Sequence, residues 1–242
     1  MESGVSFNDL SWPCDLSDDL KSELFEISQY REGMENIGLR LANARLEGVV
    51  YVMEGLASIS LVVEDSHMLV GGVVGREDWI GAGLIINPFV PDLVCEELEP
   101  FKALFFPKPK ILEIAENHNE AYKWLYYCNQ EMQARWIQTN LSALHHKESR
   151  IVFALVMLFT KKQVRAGFMP DIHITHQQLS NMTYVSRPRV SEVLKQMEAE
   201  GVIEQNRHQI FLLSKDELFQ RLSKLNISLY DPRILNAYNI YK

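Results

Sequence analysis

Arg187, Arg189, Ser191, Glu192 and Lys195 fall close together behind Ser186 and Pro188. An arginine presented at the start of a helix can donate two parallel hydrogen bonds to O6 and N7 of a guanine, a planar match that lysine cannot make. Arg187 holds that position and is the leading candidate for reading a base edge, with Ser191 and Glu192 further along the same outer surface. Thr175, His176, Gln177, Ser186, Arg189, Lys195, Arg207 and His208 carry hydroxyl, amide, imidazole and cationic groups suited to phosphate oxygens. Such contacts fix register without reading sequence.

Other chemistries find little support. The chain has no GxxxxGK[ST] phosphate loop, no HExxH, no nucleophile motif and no grouped carboxylates, so no enzymatic activity is expected. Cys14, Cys95 and Cys128 are widely separated, which argues against a zinc knuckle, an iron–sulfur cluster or a disulfide framework. Adjacent His145 and His146 would point to different sides of a helix and have no evident third partner. No metal and no cofactor is expected.

The elements around the polar cluster follow from local signals. Thr175-His176-Gln177-Gln178 has the form of a capping box, which starts a helix with Leu179 and Met182 facing inward. Thr183-Tyr184-Val185 makes a turn, Ser186 is placed to cap a second helix, and Pro188 lies in its first turn, where a missing amide proton costs nothing. Val190, Val193, Leu194 and Met197 give that helix a buried face, and Gly201 stops it. Val202–Glu204 and Ile210–Leu213 then pair as a hairpin with Arg207 and His208 at its tip. Two helices joined by a tight turn and followed by a hairpin describe a winged helix-turn-helix.

Upstream, Val49–Met53, Ser58–Val63, Met68–Val74, Ala103–Phe106 and Lys110–Ile114 read as strands of an antiparallel barrel or sandwich, preceded by a short helix opening near Ser17. From Asn119 to Leu144 no glycine or proline interrupts the chain. A continuous helix of that length spans about 37 Å at 1.5 Å per residue. Ala121, Leu125, Cys128 and Met132 follow a 4-3-4 spacing, the pattern of a two-helix seam, and are the expected dimer contacts. His145–Glu148 is the expected hinge, followed by an apolar helix face from Ile151 to Phe159 that ends near Gly167. Charge divides at the same place. Residues 1–144 hold 10 Lys and Arg against 23 Asp and Glu, and residues 145–242 hold 14 against 9. A basic half joined to an acidic half places a polyanion at the C-terminal part.

At these residues the chain resembles the cyclic-AMP receptor protein and FNR family of regulators. The resemblance rests on Ile174–Leu179, Val185-Ser186-Arg187, Val190 and Val193–Glu198, and extends to Val50–Gly55 and Asp78–Gly81. It implies a cyclic-nucleotide-binding-like β-barrel of jelly-roll type, a long dimerisation helix and a C-terminal winged helix-turn-helix, an α+β fold. It also implies that Arg187 reads guanine and that Arg189, Gln177 and His176 meet phosphate. Pro188 and Glu192 depart from the family pattern, which implies a different operator, and Tyr184 occupies the usual turn glycine. The implied effector pocket holds Gly81, Ala82, Arg135 and Trp136. There, Ala82 replaces the glutamate that cyclic-AMP binders use for ribose, and Asn87–Pro100 has no arginine or serine for a phosphate but carries Asp92, Glu96, Glu97 and Glu99. Control by cyclic AMP is therefore not expected, and the effector stays open.

The expected divisions are a barrel over 1–117, a dimer helix and hinge over 118–146, and a winged helix with a C-terminal extension over 147–242. The expected function is sequence-specific binding of double-stranded DNA at a near-palindromic operator by a homodimer, with RNA polymerase a candidate partner. The alternative is a non-enzymatic small-molecule sensor or scaffold acting through protein partners. Met1–Asp9 lacks the pattern of a signal peptide and Ile151–Phe159 is too short to span a bilayer, so a cytoplasmic protein without membrane contact is expected. The extension at 223–242 carries Leu225, Ile227, Tyr230, Ile234 and Leu235, with no assigned purpose.

Overall fold

In the computed structural model, which describes residues 6–37, 46–63, 67–86, 93–162, 169–223 and 225–234, the apolar runs of the N-terminal half merge into fewer and longer strands than their spacing predicts. Asp92, Gly167 and Leu235, used in the sequence reading, lie outside those residues. After the helix α1 (Asp18–Ile27) come β1 (Gln29–Glu32), β2 (Gly48–Val63), β3 (His67–Gly75), β4 (Trp79–Ile80), a helical turn α2 (Gly83–Ile86) and β5 (Leu93–Pro107). The two expected strands Val49–Met53 and Ser58–Val63 are one strand, β2. Register shifts against β5 between Val52 and Ala57 allow β2 to bend and continue. The antiparallel order is β1-β5-β2-β3, with β4 also paired to β2.

Lys110–Ile114 is not a strand. It lies in the helix α3 (Lys108–Asn117), where Pro109 falls in the first turn and Ile111, Ile114 and Ala115 are buried at helical spacing. A proline read as punctuation there serves as a helix start. The long helix α4 (Glu120–Ser142) follows. The sheet face under α3 and α4 is packed by aromatic rings. Trp79 lies 4.7 Å from Tyr51, 5.4 Å from Phe106 and 5.4 Å from Trp124, centroid to centroid. Trp12, from the segment before α1, completes the group at 5.3 Å from Trp79.

After the break at 143–146 come α5 (Lys147–Lys161), β6 (Asp171–His173), α6 (His176–Thr183), α7 (Arg187–Ala199), β7 (Ile203–Asn206), β8 (Gln209–Leu212) and α8 (Lys215–Gln220). The second sheet has the order β6-β8-β7. Every residue of α5 from Ile151 to Phe159 is buried. A helix apolar on all sides must be covered on all sides. Here α6 and α7 cover one part, and Leu56 of β2 and Val73 of β3 join the same core from the N-terminal sheet.

Gly75 permits that approach. A Cβ on it would sit 2.8 Å from Cβ and 3.0 Å from the carbonyl oxygen of Lys161, closer than side chains tolerate. The C-terminal extension also packs inward, with Ile227 and Tyr230 buried in the α5 core, while Ile234 is exposed. Trp124 is fully buried at the centre of the aromatic group. Trp124→Ala is expected to lower the unfolding free energy by about 3–5 kcal/mol, read by chemical denaturation; a loss under about 1 kcal/mol would show that the rings do not act as one packed unit.

Candidate nucleic-acid interface

The expected capping box forms. Thr175 Oγ1 accepts from the Gln178 amide at 3.1 Å, and Gln178 Oε1 accepts from the Thr175 amide at 2.8 Å. Tyr184 then takes the left-handed conformation at φ 52° and ψ 34° and closes α6. A tyrosine there carries backbone strain of about 1–2 kcal/mol, held by the packing of Met182, Thr183 and Val185 on either side. Ser186 is the residue before α7, as expected, but its side chain makes no capping hydrogen bond. Val190, Val193, Leu194 and Met197 are buried, which turns Arg187, Arg189, Glu192 and Lys195 to solvent. Gly201, at φ 73°, ends the turn after α7.

Between α7 and the β7–β8 hairpin lies a groove of about 600 Å³ lined by Thr175, His176, Gln177, Arg187, Lys195, Arg207 and His208 among others. Seven of the residues expected to meet DNA thus share one concave surface. Arg189 and Glu192 lie outside it and pair with each other, Nη1 to Oε2 at 2.8 Å, so the carboxylate faces a cation of its own helix. Ser191 is half-buried on α7 and also outside the groove. Two residues that the sequence reading passed over set the groove's width. Glu198 of α7 accepts from the Gln205 backbone at 2.8 Å and from its side-chain amide at 3.0 Å, and Gln205 in turn lies 3.1 Å from His176 Nε2. Their polarity alone carried no signal, because the contacts join residues on different elements.

The long helix departs from expectation. Ala121, Leu125 and Cys128 face the sheet of their own chain, at 0, 3 and 1% exposure, and Met132 packs partly against the same domain. Their 4-3-4 spacing marks the inner face of α4, since an apolar stripe has the same period whether it meets a sheet or a second helix. The outer face carries Tyr122, Tyr126, Ile137 and Leu141, between 41 and 57% exposed, and Leu144, just beyond the helix, is 81% exposed. The three cysteines are buried thiols; burial pushes Cys14 up to about 11 and Cys95 up to about 12, and raises Cys128 well above its ordinary value.

Arg135 does not line the expected effector pocket. Its guanidinium turns to Asp78 and makes a bidentate pair, 2.7 Å on each arm. Lys161, the last residue of α5, bonds the same carboxylate through Nζ. The amide of Gly75 donates to Asp78 at 2.8 Å, and Arg135 also donates to the Val73 carbonyl at 3.1 Å and to Glu131 at 3.0 Å. The Tyr230 ring lies 5.3 Å from the guanidinium carbon. Asp78 and Arg135 are each 1% exposed and Lys161 6%. Burial alone would raise the Asp78 carboxyl, but Arg135 and Lys161 together hold it below its ordinary 3.8. Lys161 is lowered by burial and by Arg135, with Asp78 opposing.

Gly81, Ala82 and Trp136 do line one cavity, of about 410 Å³, together with Trp79, Ile80, Asn129, Met132 and Gln133. Among the described residues its lining has no cation. Trp136 Nε1 is buried without a hydrogen-bond partner among the described residues. No group of three or more His, Cys, Asp and Glu that could hold a metal occurs among the described residues, and no described helix is long and apolar enough to cross a membrane.

A sheet domain, a long helix and a winged helix-turn-helix follow one another along the chain. Residues 149–221 match the family model of the Crp-like helix-turn-helix domain. The fold matches a protein of Eubacterium rectale assigned to the Crp/Fnr family, at TM-score 0.62 and 12% identity over 85% of this chain and 94% of that one. It also matches the c-di-GMP-responsive global regulator CLP of Xanthomonas campestris, at 0.60 and 17% over 82% and 100%, and FixK2 of Bradyrhizobium japonicum, at 0.62 and 14% over 80% and 96%. No curated protein is significantly similar in sequence. The chain therefore carries a Crp-like helix-turn-helix domain on the Crp/Fnr fold.

A carboxyl held below its ordinary value contributes stability that is present above that value and lost as pH falls through the lower native one. Acidification below pH 3.8 is therefore expected to release the Asp78 contacts, seen as faster amide exchange around Gly75. Asp78→Asn should remove that acid step and, by leaving two buried cations without their anion, cost about 3–5 kcal/mol. An unchanged acid profile in Asp78→Asn would show that Asp78 does not govern the step.

Proposed function

We propose that this protein is a sequence-specific DNA-binding transcription regulator that acts as a cytoplasmic homodimer on a near-palindromic operator. The observation that carries the reading is the groove between α7 and the β7–β8 hairpin, where Arg187 and Lys195 from the helix and Arg207 and His208 from the hairpin tip converge. A duplex backbone placed there meets cations from two sides, while Arg187, in the first turn of α7, is positioned for a guanine edge. The Arg189–Glu192 pair beside it makes Glu192 an acceptor with a fixed neighbour, suited to a cytosine amino group. The Ser186 hydroxyl, which makes no capping hydrogen bond, suits a phosphate.

Dimerisation is assigned to the outer face of α4, through Tyr122, Tyr126, Ile137 and Leu141, continued by Leu144 just beyond the helix. Apolar side chains repeating along one exposed helix face are best covered by an identical helix. The cavity at Gly81, Ala82 and Trp136 is the proposed effector site. Without a cation among its described lining residues it offers no positive side chain to a phosphate, which supports control by something other than cyclic AMP. Saturable micromolar binding of cyclic AMP in calorimetry would overturn that part.

Arg187→Ala is expected to weaken binding to the selected operator by about 1–3 kcal/mol and to relax preference at one base pair, measured by gel shift across operator variants. Lys195→Ala should weaken all sequences alike and flatten the salt dependence. Wild-type protein that shows no salt-dependent DNA binding in a selection from random duplexes would refute the regulator reading. Ile137→Asp combined with Leu141→Asp should give a folded monomer in light scattering, whereas Leu125→Asp should unfold the chain.

A further inference from the structure

Asp78, Arg135 and Lys161 come from three separate elements: the turn before β4, the long helix α4 and the end of α5. Helices α4 and α5 follow one another across the break of 143–146 and form two arms joined there. Arg135 stands on one arm and Lys161 on the other, and both bond one buried carboxylate that belongs to the sheet. The pair of arms is thereby closed into a triangle. Apolar packing between α5 and the sheet is non-directional and tolerates a range of angles, whereas a bidentate guanidinium–carboxylate pair does not.

We infer that Asp78, Arg135 and Lys161 are positioning residues that fix the angle of the DNA-binding domain to the dimer helix, and so set the half-site spacing the dimer accepts. The magnitude supports this. Lys161 lies at the far end of α5, a helix of 15 residues, and so about 21 Å from the break at 1.5 Å per residue. A swing of about 10° there moves that end by close to 4 Å, about one base-pair step of B-DNA. In a dimer both domains swing, and the error doubles.

Other contacts cross the same junction and share its geometry. Glu99 of β5 holds Lys162 at 2.5 Å and accepts from the His173 amide at 3.3 Å. Gln178, the second half of the capping box, donates to Glu96 at 3.0 Å. The extension adds a strap, since buried Gln138 of α4 donates to the Asn226 carbonyl at 3.1 Å and accepts from the Leu229 amide at 3.2 Å. These contacts are only part-buried. The three-residue node is central to the junction and wholly buried. It also adjoins the cavity, because Asp78 precedes the lining residues Trp79 and Ile80 and Arg135 precedes Trp136.

The test uses the full-length protein and two variants that reach the node by different routes. Lys161→Met removes only the α5 cation and leaves Asp78 paired with Arg135. Gly75→Ala keeps every charge and inserts a methyl group against Cβ and the carbonyl oxygen of Lys161 and against Leu56. Hydrogen exchange reads domain docking without DNA. Exchange over residues 171–178 should quicken about tenfold or more in both variants, while residues 187–199 keep their protection because the helix-turn-helix core stays folded. Gel shifts then compare duplexes whose selected half-sites lie about 34 Å apart or one to two base pairs nearer or farther.

This second arm rests on the DNA-binding reading above. Wild type should lose about tenfold in affinity off its preferred spacing and the variants less than about threefold, with affinity for an isolated half-site unchanged. Unchanged exchange in both variants would overturn the positioning role. Faster exchange with the spacing preference intact would overturn its consequence for DNA. Faster exchange in a protein whose wild type binds no duplex would sink the regulator reading and the spacing role together, and leave the node as a support of domain docking alone.

Discussion

The carboxylate of Asp78 is the constraint on which the arrangement of the two halves depends. An anion without water must be met by cations and donors on every side. Here Arg135, Lys161 and the Gly75 amide meet it. Each of these partners belongs to a different stretch of chain, so satisfying one charge requires three elements to arrive together. A buried node of this kind need not add net stability over well-packed apolar residues. What it supplies is direction: an apolar cluster has many near-equivalent packings, and a fully bonded carboxylate has few.

Helix α5 shows the same logic in apolar form. Its residues from Ile151 to Phe159 are buried all round, a surface that the helix-turn-helix alone cannot cover. Leu56 and Val73 complete the coverage from the sheet, and Gly75 removes the side chain that would keep them apart. The helix-turn-helix half is thus not a bead on a linker. Its core and part of the N-terminal sheet share one apolar cluster, and the groove between α7 and the hairpin is presented at an angle that the whole chain sets.

The cavity at Trp136 lies on the other side of the same helix segment. Trp79, Ile80 and Trp136 line it, and their immediate neighbours Asp78 and Arg135 form the node. A displacement of α4 by a bound molecule would therefore bear on the arginine without passing through any intermediate layer. Arg135, taken by the ion pair, is not available to neutralise a ligand. The indole N–H of Trp136, without a partner among the described residues, carries no charge and can only donate a hydrogen bond.

The winged helix-turn-helix was legible in the chain because each of its parts is local. The capping box at Thr175 and Gln178, the 3-4-3 apolar face of α7, the stop at Gly201 and the polar hairpin tip all depend on residues within one turn of each other. Even the left-handed Tyr184 was visible as a residue in a glycine's place. Two readings of the N-terminal half were wrong for the converse reason. Proline at 109 is compatible with a strand boundary or a helix start, and only the burial of Ile111, Ile114 and Ala115 against the sheet decides. The stripe Ala121, Leu125, Cys128 has one period and two potential partners, and the sheet of its own chain took it.

Sequence by itself therefore determined the local elements, the chemistry of the proposed DNA-facing groove and the absence of recognisable catalytic motifs, because those follow from neighbours along the chain. Tertiary structure alone decided which face of α4 is free, that Glu198 and Gln205 brace the groove, and that Asp78, Arg135 and Lys161 meet. These residues are separated by 57 and 83 positions from Asp78, and nothing in the spacing of charges along a chain says which of them will lose its water to the same site.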